Sequence, residues 1–483
     1  MALLAALLPI GVRAQVATTL QLGQESKTLG EEFVQQALLV GTYQGLELWY
    51  GPDRAGRAAL VLADHNMMQM GSVELGRNAD LAFVAATVDG GQAHVLMADE
   101  SRRERTILRS IAVDLESMLP AAKGQPWVVV DSVGYGRHDT YRRWAARSAD
   151  GRLTAVVTIV EYTASKQYSA SVRLLDERMQ TLWVREYAMG TTDEVAVADD
   201  GTVVTLGVEE DGGVVDLIYN VVRRDGGETY ELSLACDPLC EVHLAGVVGR
   251  HAVGVGLFRP AGSRPSDELC GGTVGFSFHI DSAALTGFTM RPFQNEDMNI
   301  LYNEKTKKIQ REQVADLVST AAYARMPYGA VMAVGRNYKQ QYETDNGLWT
   351  TDYHRVGLHV VAVDTLGRMP WVRNVRRNDE QKGSDALLRV VLRHEGDATL
   401  LLKSESPKLP PTYEIGKPAK PFTLGSKGNT ALYRIGDDGE VAKQVLIGKT
   451  PYSLLQAYHD AQGRLVLIDN HGRRSRRSLV ELK

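Results

Sequence analysis

Hydrophobic and polar positions alternate in short runs along almost the whole chain. Apolar stretches such as LELWY (46–50), WVVVDSV (127–133), LTAVVTIVE (153–161), TLLLK (399–403) and RLVLID (464–469) are rich in β-branched residues. Many follow a period of two, the signature of strands. Between them stand Asp-Gly steps at Asp89, Asp150, Asp200, Asp211, Asp225 and Asp438, and Asn-Gly at Asn346. These dipeptides tolerate the positive φ that tight hairpin turns demand. About thirty strands can be placed this way. The clearest helical spacing lies over 304–324, with Val314, Leu317, Val318 and Ala321 on one face.

One hairpin outline recurs. VRLLDERMQTLWVREY (172–187) runs from an apolar stretch through Asp176 and a polar turn to Trp183-Val184-Arg185. VVAVDTLGRMPWVRNV (360–375) repeats it with Asp364 and Trp371-Val372-Arg373, 188 residues further on. Similar hairpins are placed with turns near Asp53, Ser101, Arg178, Asp225, Ala283, Leu366 and Asp438. The opening pair then reads as four units of 47 residues, close to the ~40–50 residues of a bare propeller blade. A four-stranded blade has two apolar faces, and stacking blades in a ring buries both. The sequence therefore predicts an all-β fold, a β-propeller of seven blades with a range of six to eight, and one helical insertion near 304–324 within a longer insertion 292–325. In it, each Trp lies between neighbouring blades and each turn Asp accepts turn amides. The last strands, RLVLID and SLVEL, complete a blade begun by residues 33–50. Two β-sandwiches in tandem are the competing architecture, but no Pro/Ser/Gly-rich linker divides the chain near its middle. SPKLPPTYEIGKPAKPF (406–422) reads as a long surface loop.

Composition narrows the function without naming it. The formal charge is −5 over 483 residues, with no basic stripe of the kind a nucleic-acid binder shows. The dense basic run Arg473, Arg474, Arg476 and Arg477 reads as a solvated turn. Residues 1–14, MALLAALLPIGVRA, read as a secretory signal cleaved after Ala14, leaving 15–483 as a single propeller domain. No later stretch approaches the ~18 apolar residues of a membrane span. The expectation is a periplasmic or extracellular protein. Export permits a disulfide among Cys236, Cys240 and Cys270, with all three pairings open, or three buried thiols.

Catalytic motifs are absent where they would be recognisable. Gly448-Lys449-Thr450 lacks the first glycine of a phosphate loop, since position 443 is Lys443. His394-Glu395 lacks a second histidine, since position 398 is Ala398. Asp199-Asp200-Gly201 and Asp437-Asp438-Gly439 lack the alternating ligands and distal Glu of a calcium loop and read as turns. Asn378-Asp379-Glu380 with Asp385 reads as a polar loop. The suggestive stretch is RNYKQQYETDNGLWTTDYHRV (336–356). Its Asn346-Gly347 turn predicts a two-stranded ribbon carrying Tyr338, Tyr342, Trp349 and Tyr353. Those rings either pack on a neighbouring blade or offer a contact surface to a sugar or a protein.

The ending Val12-Arg13-Ala14-Gln15 and the segment WVRNVRRNDEQKGSDALLRVVLRHEGDATLLLKSES (371–406), with Trp371, Arg373, Asn378 and Asp379, carry a resemblance. The chain is similar to the uncharacterised exported β-propeller proteins of Gram-negative gut commensal bacteria. Val-Arg-Asn stands here where members of that group often carry a Lys-rich strand. The resemblance implies a propeller and an exported location, and it implies no reaction. The leading expectation is a binding or scaffolding module for a protein or glycan partner at the envelope, without cofactor or metal. The alternative is a hydrolase with paired carboxylates at the channel mouth, one of them with a raised pKa.

Overall fold

The computed structural model describes residues 18–26, 36–53, 55–77, 80–122, 126–187, 192–211, 214–234, 239–260, 263, 268–282, 284–304, 315–383, 389–409, 418–424, 426–460, 464–471 and 474–482. Within them, eight sheets of at least four strands follow one another along the chain, antiparallel throughout except where Phe422–Thr423 pairs parallel with Val372–Lys382. Numbered as blades, they span 38–77, 81–134, 140–187, 194–234, 239–292, 318–382, 390–450 and 453–482. The eighth takes its outer strand from the other end of the chain: Thr18–Ser26 pairs antiparallel with Arg474–Leu482.

Alternation along each strand builds the ring. In Ala398–Glu405 of blade 7, Leu401 packs toward blade 6 while Leu400 and Leu402 pack toward blade 8. In Leu46–Pro52 of blade 1, Leu48 and Tyr50 face blade 2 while Trp49 faces blade 8. Both faces are covered, so these strands read as continuous apolar runs. Each side chain of this size fully buried contributes about 1.5–3 kcal/mol. Eight apolar clusters result, one between each successive pair of blades, and the one joining blade 8 to blade 1 completes the circle. The fold is a β-propeller.

Trp371 is buried between blades 6 and 7, and Trp183 is half-buried between blades 3 and 4, as the repeat predicts. Asp176 accepts the amides of Arg178 and Gln180, and Asp364 those of Leu366 and Arg368. Asp200 and Asp438 likewise accept the amides of Thr202 and Glu440, which is turn chemistry.

The structure revises several details. The two matching hairpins lie three blades apart, so 188 residues are three long units rather than four short ones. The closing strand is Thr18–Ser26, and Leu38–Pro52 belongs to blade 1. Arg476 and Arg477 are not a solvated turn: Arg476 meets Asp469 at 2.9 Å and Arg477 meets Glu47 at 2.7 Å, all four largely buried. Residues 315–324 form strands, Ala315–Asp316 and then Val318–Met326, the first strand of blade 6. Pairing with Gly329–Glu343 overrides the helical spacing of an alanine-rich run. The helix among the described residues comes earlier, as α1 (Asn295–Leu301). Asn378-Asp379-Glu380 is not a loop but part of the strand Val372–Lys382, its charge balanced locally by the Arg377–Asp379 pair at 2.7 Å. The expected signal 1–14, the stretch 305–314, Asp385 and Cys236 lie outside the described residues.

Candidate functional site

First strands line the axis of a propeller, and here they enclose a cavity of about 820 Å³. Its walls are Glu241 and His243 of blade 5, Ser319–Tyr323 of blade 6, Val390–Leu392 of blade 7 and Leu455–Ala457 of blade 8. The alanines of the first strand of blade 6 keep this wall low. Asn337, Arg355 and Arg377 join the lining from the second, third and fourth strands of blade 6, and Arg389 from the entry to blade 7.

Outer strands do not ordinarily reach the axis, and the reason they do here is local. The second and third strands of blade 6, Gly329–Glu343 and Trp349–Asp364, are 15 and 16 residues long and outrun the blade as a ribbon. Their ladders break at one level, between Val334 and Arg336 and between Val356 and Leu358. Bulges bend and twist a sheet, and at this level Asn337 and Arg355 join the cavity lining. Gly357 sits in the bend at φ +62, with a Cβ there only 2.5 Å from the Ile300 carbonyl oxygen. No other residue fits both constraints. The bend therefore rests on α1. Asp297 of that helix, almost fully buried, accepts from Arg291 at 2.7 Å and from Asn374 Nδ2 at 2.8 Å, and lies 3.2 Å from His359 Nδ1. Although burial opposes ionisation, these partners hold the Asp297 carboxyl well below the usual carboxylate range.

The opposite wall is an ion triad. His243 bonds Glu194 through Nδ1 at 2.8 Å and Glu241 through Nε2 at 2.9 Å. Its ring stacks on Tyr323 with centroids 4.5 Å apart. Burial alone favours the neutral imidazole, but the two carboxylates overcome it and push the pKa up to about 9. Burial would raise Glu241, but His243 and the Thr320 amide on its Oε2 hold it below its ordinary value. Three blades are pinned together here, since Glu194 belongs to blade 4.

The four ribbon aromatics are not brought onto one surface. Tyr338 and Tyr342 lie on one face of the ribbon, Trp349 and Tyr353 on the other. Tyr338 stacks on His354 at 4.5 Å, beneath the Arg336 guanidinium. Tyr353 packs with Phe422 and Leu424 and lies under Lys339. Tyr342 is half-buried, and Trp349 stands 73% exposed at the ribbon tip beside Leu348 at 69%. Cys240 and Cys270 are free thiols beside one another, and the Cys270 thiol donates to the Gly272 carbonyl at 3.4 Å. The neighbouring Cys270 thiol lowers Cys240 against the effect of burial, while burial pushes Cys270 up.

The sequence reading missed Arg355, Arg377, Arg389 and the His243 triad. Arg355 lies within the stretch 336–356 singled out for its aromatics, and Arg377 within 371–406, but neither arginine is picked out there. The aligned long strands and the Gly335 and Gly357 pair were the signal that could have found the bend.

With the geometry in hand, comparison adds little beyond the fold. No protein-family model matches the chain, and no curated protein does. Similar solved structures include the β-propeller domain of the Trilobed protease from Pyrococcus furiosus, at 9% identity over 88% of this chain and 98% of that one, with a TM-score of 0.36. The WD40 domain of SCAP from fission yeast is similar at 7% identity over 96% of this chain and 98% of that one, with a TM-score of 0.37. Nothing about activity rests on either likeness. No helix among the described residues is long and apolar enough to cross a membrane.

Proposed function

We propose that this propeller is an exported binding module that takes a protein or glycan partner of the cell envelope at its channel mouth. The observation that carries the reading is the open cavity of about 820 Å³, within the ~300–1,000 Å³ range of ligand sites. It is walled by four blades, with Asn337 and Arg355 from the base of the blade 6 ribbon in its lining. Export rests on the signal-like residues 1–14. A hydrolase of the two-carboxylate kind needs one acid with a raised pKa facing open space. Glu194 and Glu241 instead clasp one cationic imidazole, and Glu241 is held low. That arrangement favours binding over acid–base chemistry at this pair.

The test is affinity capture from envelope extracts together with a glycan array, using the purified chain and Ala322→Trp, which adds an indole to the cavity wall. The expected result is a partner retained by the wild type and lost by the folded variant. A wild type that retains nothing, or a variant that retains equally, removes the reading.

A further inference from the structure

We infer that the channel mouth takes an extended polypeptide segment, which adds as a strand to the inner edge of blade 7. This rests on the binding reading above and names the class of partner.

Side-chain alternation decides what a first strand shows the axis. In Val390–Glu395 of blade 7, Val390 and Leu392 pack toward blade 6, and His394 meets Tyr328 of that blade edge-on with centroids 5.6 Å apart. Val391 packs toward blade 8, Arg393 donates Nη1 to the Ala457 carbonyl there at 3.1 Å, and Glu395 pairs with His459 of the same blade. Both sets of side chains are committed to neighbouring blades. What Val390–Leu392 contribute to the cavity wall is therefore main chain.

The adjoining turn orients that main chain. The strand meets Ala398–Glu405 in unbroken register, from Val390 opposite Lys403 to Glu395 opposite Ala398, and Gly396-Asp397 is a two-residue loop. Such a loop closes on a hydrogen-bonded pair, and hydrogen-bonded and non-hydrogen-bonded pairs alternate from there. Glu395, Arg393 and Val391 spend their amides and carbonyls on the blade. Val390, Leu392 and His394 turn theirs to the axis, where they meet no hydrogen-bond partner among the described residues.

The other first strands around the cavity are made differently. Each is bulged, at Leu239/Glu241 and Leu244/Gly246 in blade 5, at Thr320/Ala322 in blade 6 and at Leu454/Gln456 in blade 8. Two are also covered by side chains: Glu241 Oε2 accepts the Thr320 amide at 3.0 Å, and Arg393 holds the Ala457 carbonyl. Bulges and coverage blunt an edge against strand addition. Of these four strands, blade 7 keeps the regular edge. A polypeptide is the partner whose donors and acceptors repeat at the same ~3.3 Å per residue, and main-chain pairing is how extended peptides join an exposed edge. The hydroxyls of a sugar ring have no such period. An added strand continues the blade 7 sheet, so its side chains alternate toward the walls of blades 6 and 8.

A displayed library of random heptapeptides, selected on the full chain, supplies the probe, and calorimetry measures the enriched peptide made synthetically. Methylating alternate peptide nitrogens removes main-chain donors and keeps every side chain. One of the two alternating sets should lose at least tenfold, the other less. Val390→Pro deletes one axis-facing amide at the first position of the strand, where proline is tolerated. It should bind the peptide about tenfold more weakly than Val390→Ala, which trims the same side chain and keeps the amide. Melting temperatures check folding, and if Val390→Pro does not fold the methylated peptides decide. On binding, the amides of Val390, Leu392 and His394 should gain protection from exchange, more than any amide in the first strands of blades 6 and 8. No enriched peptide, equal binding of both methylated sets and the parent, or protection centred on another strand overturns the inference. A glycan that binds tighter than any peptide and is lost on Ala322→Trp also overturns it and leaves the binding reading standing.

Discussion

At the scale of single residues, His243 is the most informative side chain. It is a cation because two carboxylates outweigh burial. A group whose folded pKa is raised contributes stability that is complete below its unfolded pKa near 6.5 and is lost as pH rises through the folded one. For His243 that loss runs up to about 9. Glu241, held low, contributes in the opposite sense: fully above about 4.5, declining as pH falls. Replacing His243 with Gln leaves two mostly buried carboxylates facing a neutral amide. The expected cost is about 3 kcal/mol at pH 6, shrinking toward zero above pH 9, where the wild type has itself lost the cation. Urea titrations of both proteins at the two pH values measure the difference, and a gap independent of pH would refute the triad. The thiols make a second residue-level prediction. With oxidised glutathione, Cys240 and Cys270 should join, each disulfide releasing two molecules of reduced glutathione and lowering the chain mass by two hydrogens. Cys270→Ala should abolish that mass change. A mass change surviving in Cys270→Ala would point to Cys236 as the partner of Cys240.

At the scale of elements, what could be read ahead of the structure was what periodicity controls. Leu400, Leu401 and Leu402 announce a strand buried on both faces, and Asp176 and Asp364 announce their turns through the same two amide acceptances. The misreadings share one cause. Periodicity reports how a segment meets its own neighbours in sequence, whereas Val318–Met326, Val372–Lys382 and Arg476-Arg477 are decided by partners far along the chain. The site was invisible for the same reason, because Arg355, Arg377 and Arg389 come to line one cavity only once blades 6 and 7 are in place. Gly357 tests that bend directly. Gly357→Ala places a methyl group against the Ile300 carbonyl in a backbone conformation that L-residues avoid, at an expected cost of about 2 kcal/mol or more. The loss should be concentrated in α1 and the upper ribbon, seen as faster amide exchange there with the other blades unchanged. Uniform loosening of all eight blades would mean that the bend is not supported by the helix.

At the scale of the whole molecule, the ring has a single seam where its two ends meet, and chemistry concentrates there. Blade 8 is closed by Thr18–Ser26, and blade 8 must then hold blade 1. Across that junction Arg477 donates Nε and Nη2 to Glu47 Oε1 at 3.0 and 2.7 Å, and the Tyr458 hydroxyl donates to Glu47 Oε2 at 2.6 Å. Glu47 is 2% exposed and Arg477 5%. Burial, reinforced by the Glu47 charge, pushes the Tyr458 hydroxyl far up its scale, so it remains a donor at any working pH. The apolar cluster around Trp49 and Leu455 supplies adhesion at the seam, while the ion pair fixes its register, because a slipped seam would bury Glu47 without a partner. Removing one member is therefore far worse than removing both. Glu47→Ala should cost about 3–5 kcal/mol by stranding Arg477, whereas Glu47→Leu with Arg477→Met should recover most of that loss. Recovered stability does not guarantee a closed ring. The double variant is expected to melt less cooperatively and to show faster exchange in Arg474–Leu482 than the wild type at equal global stability. A double variant as cooperative as the wild type would show that the apolar cluster alone sets the seam.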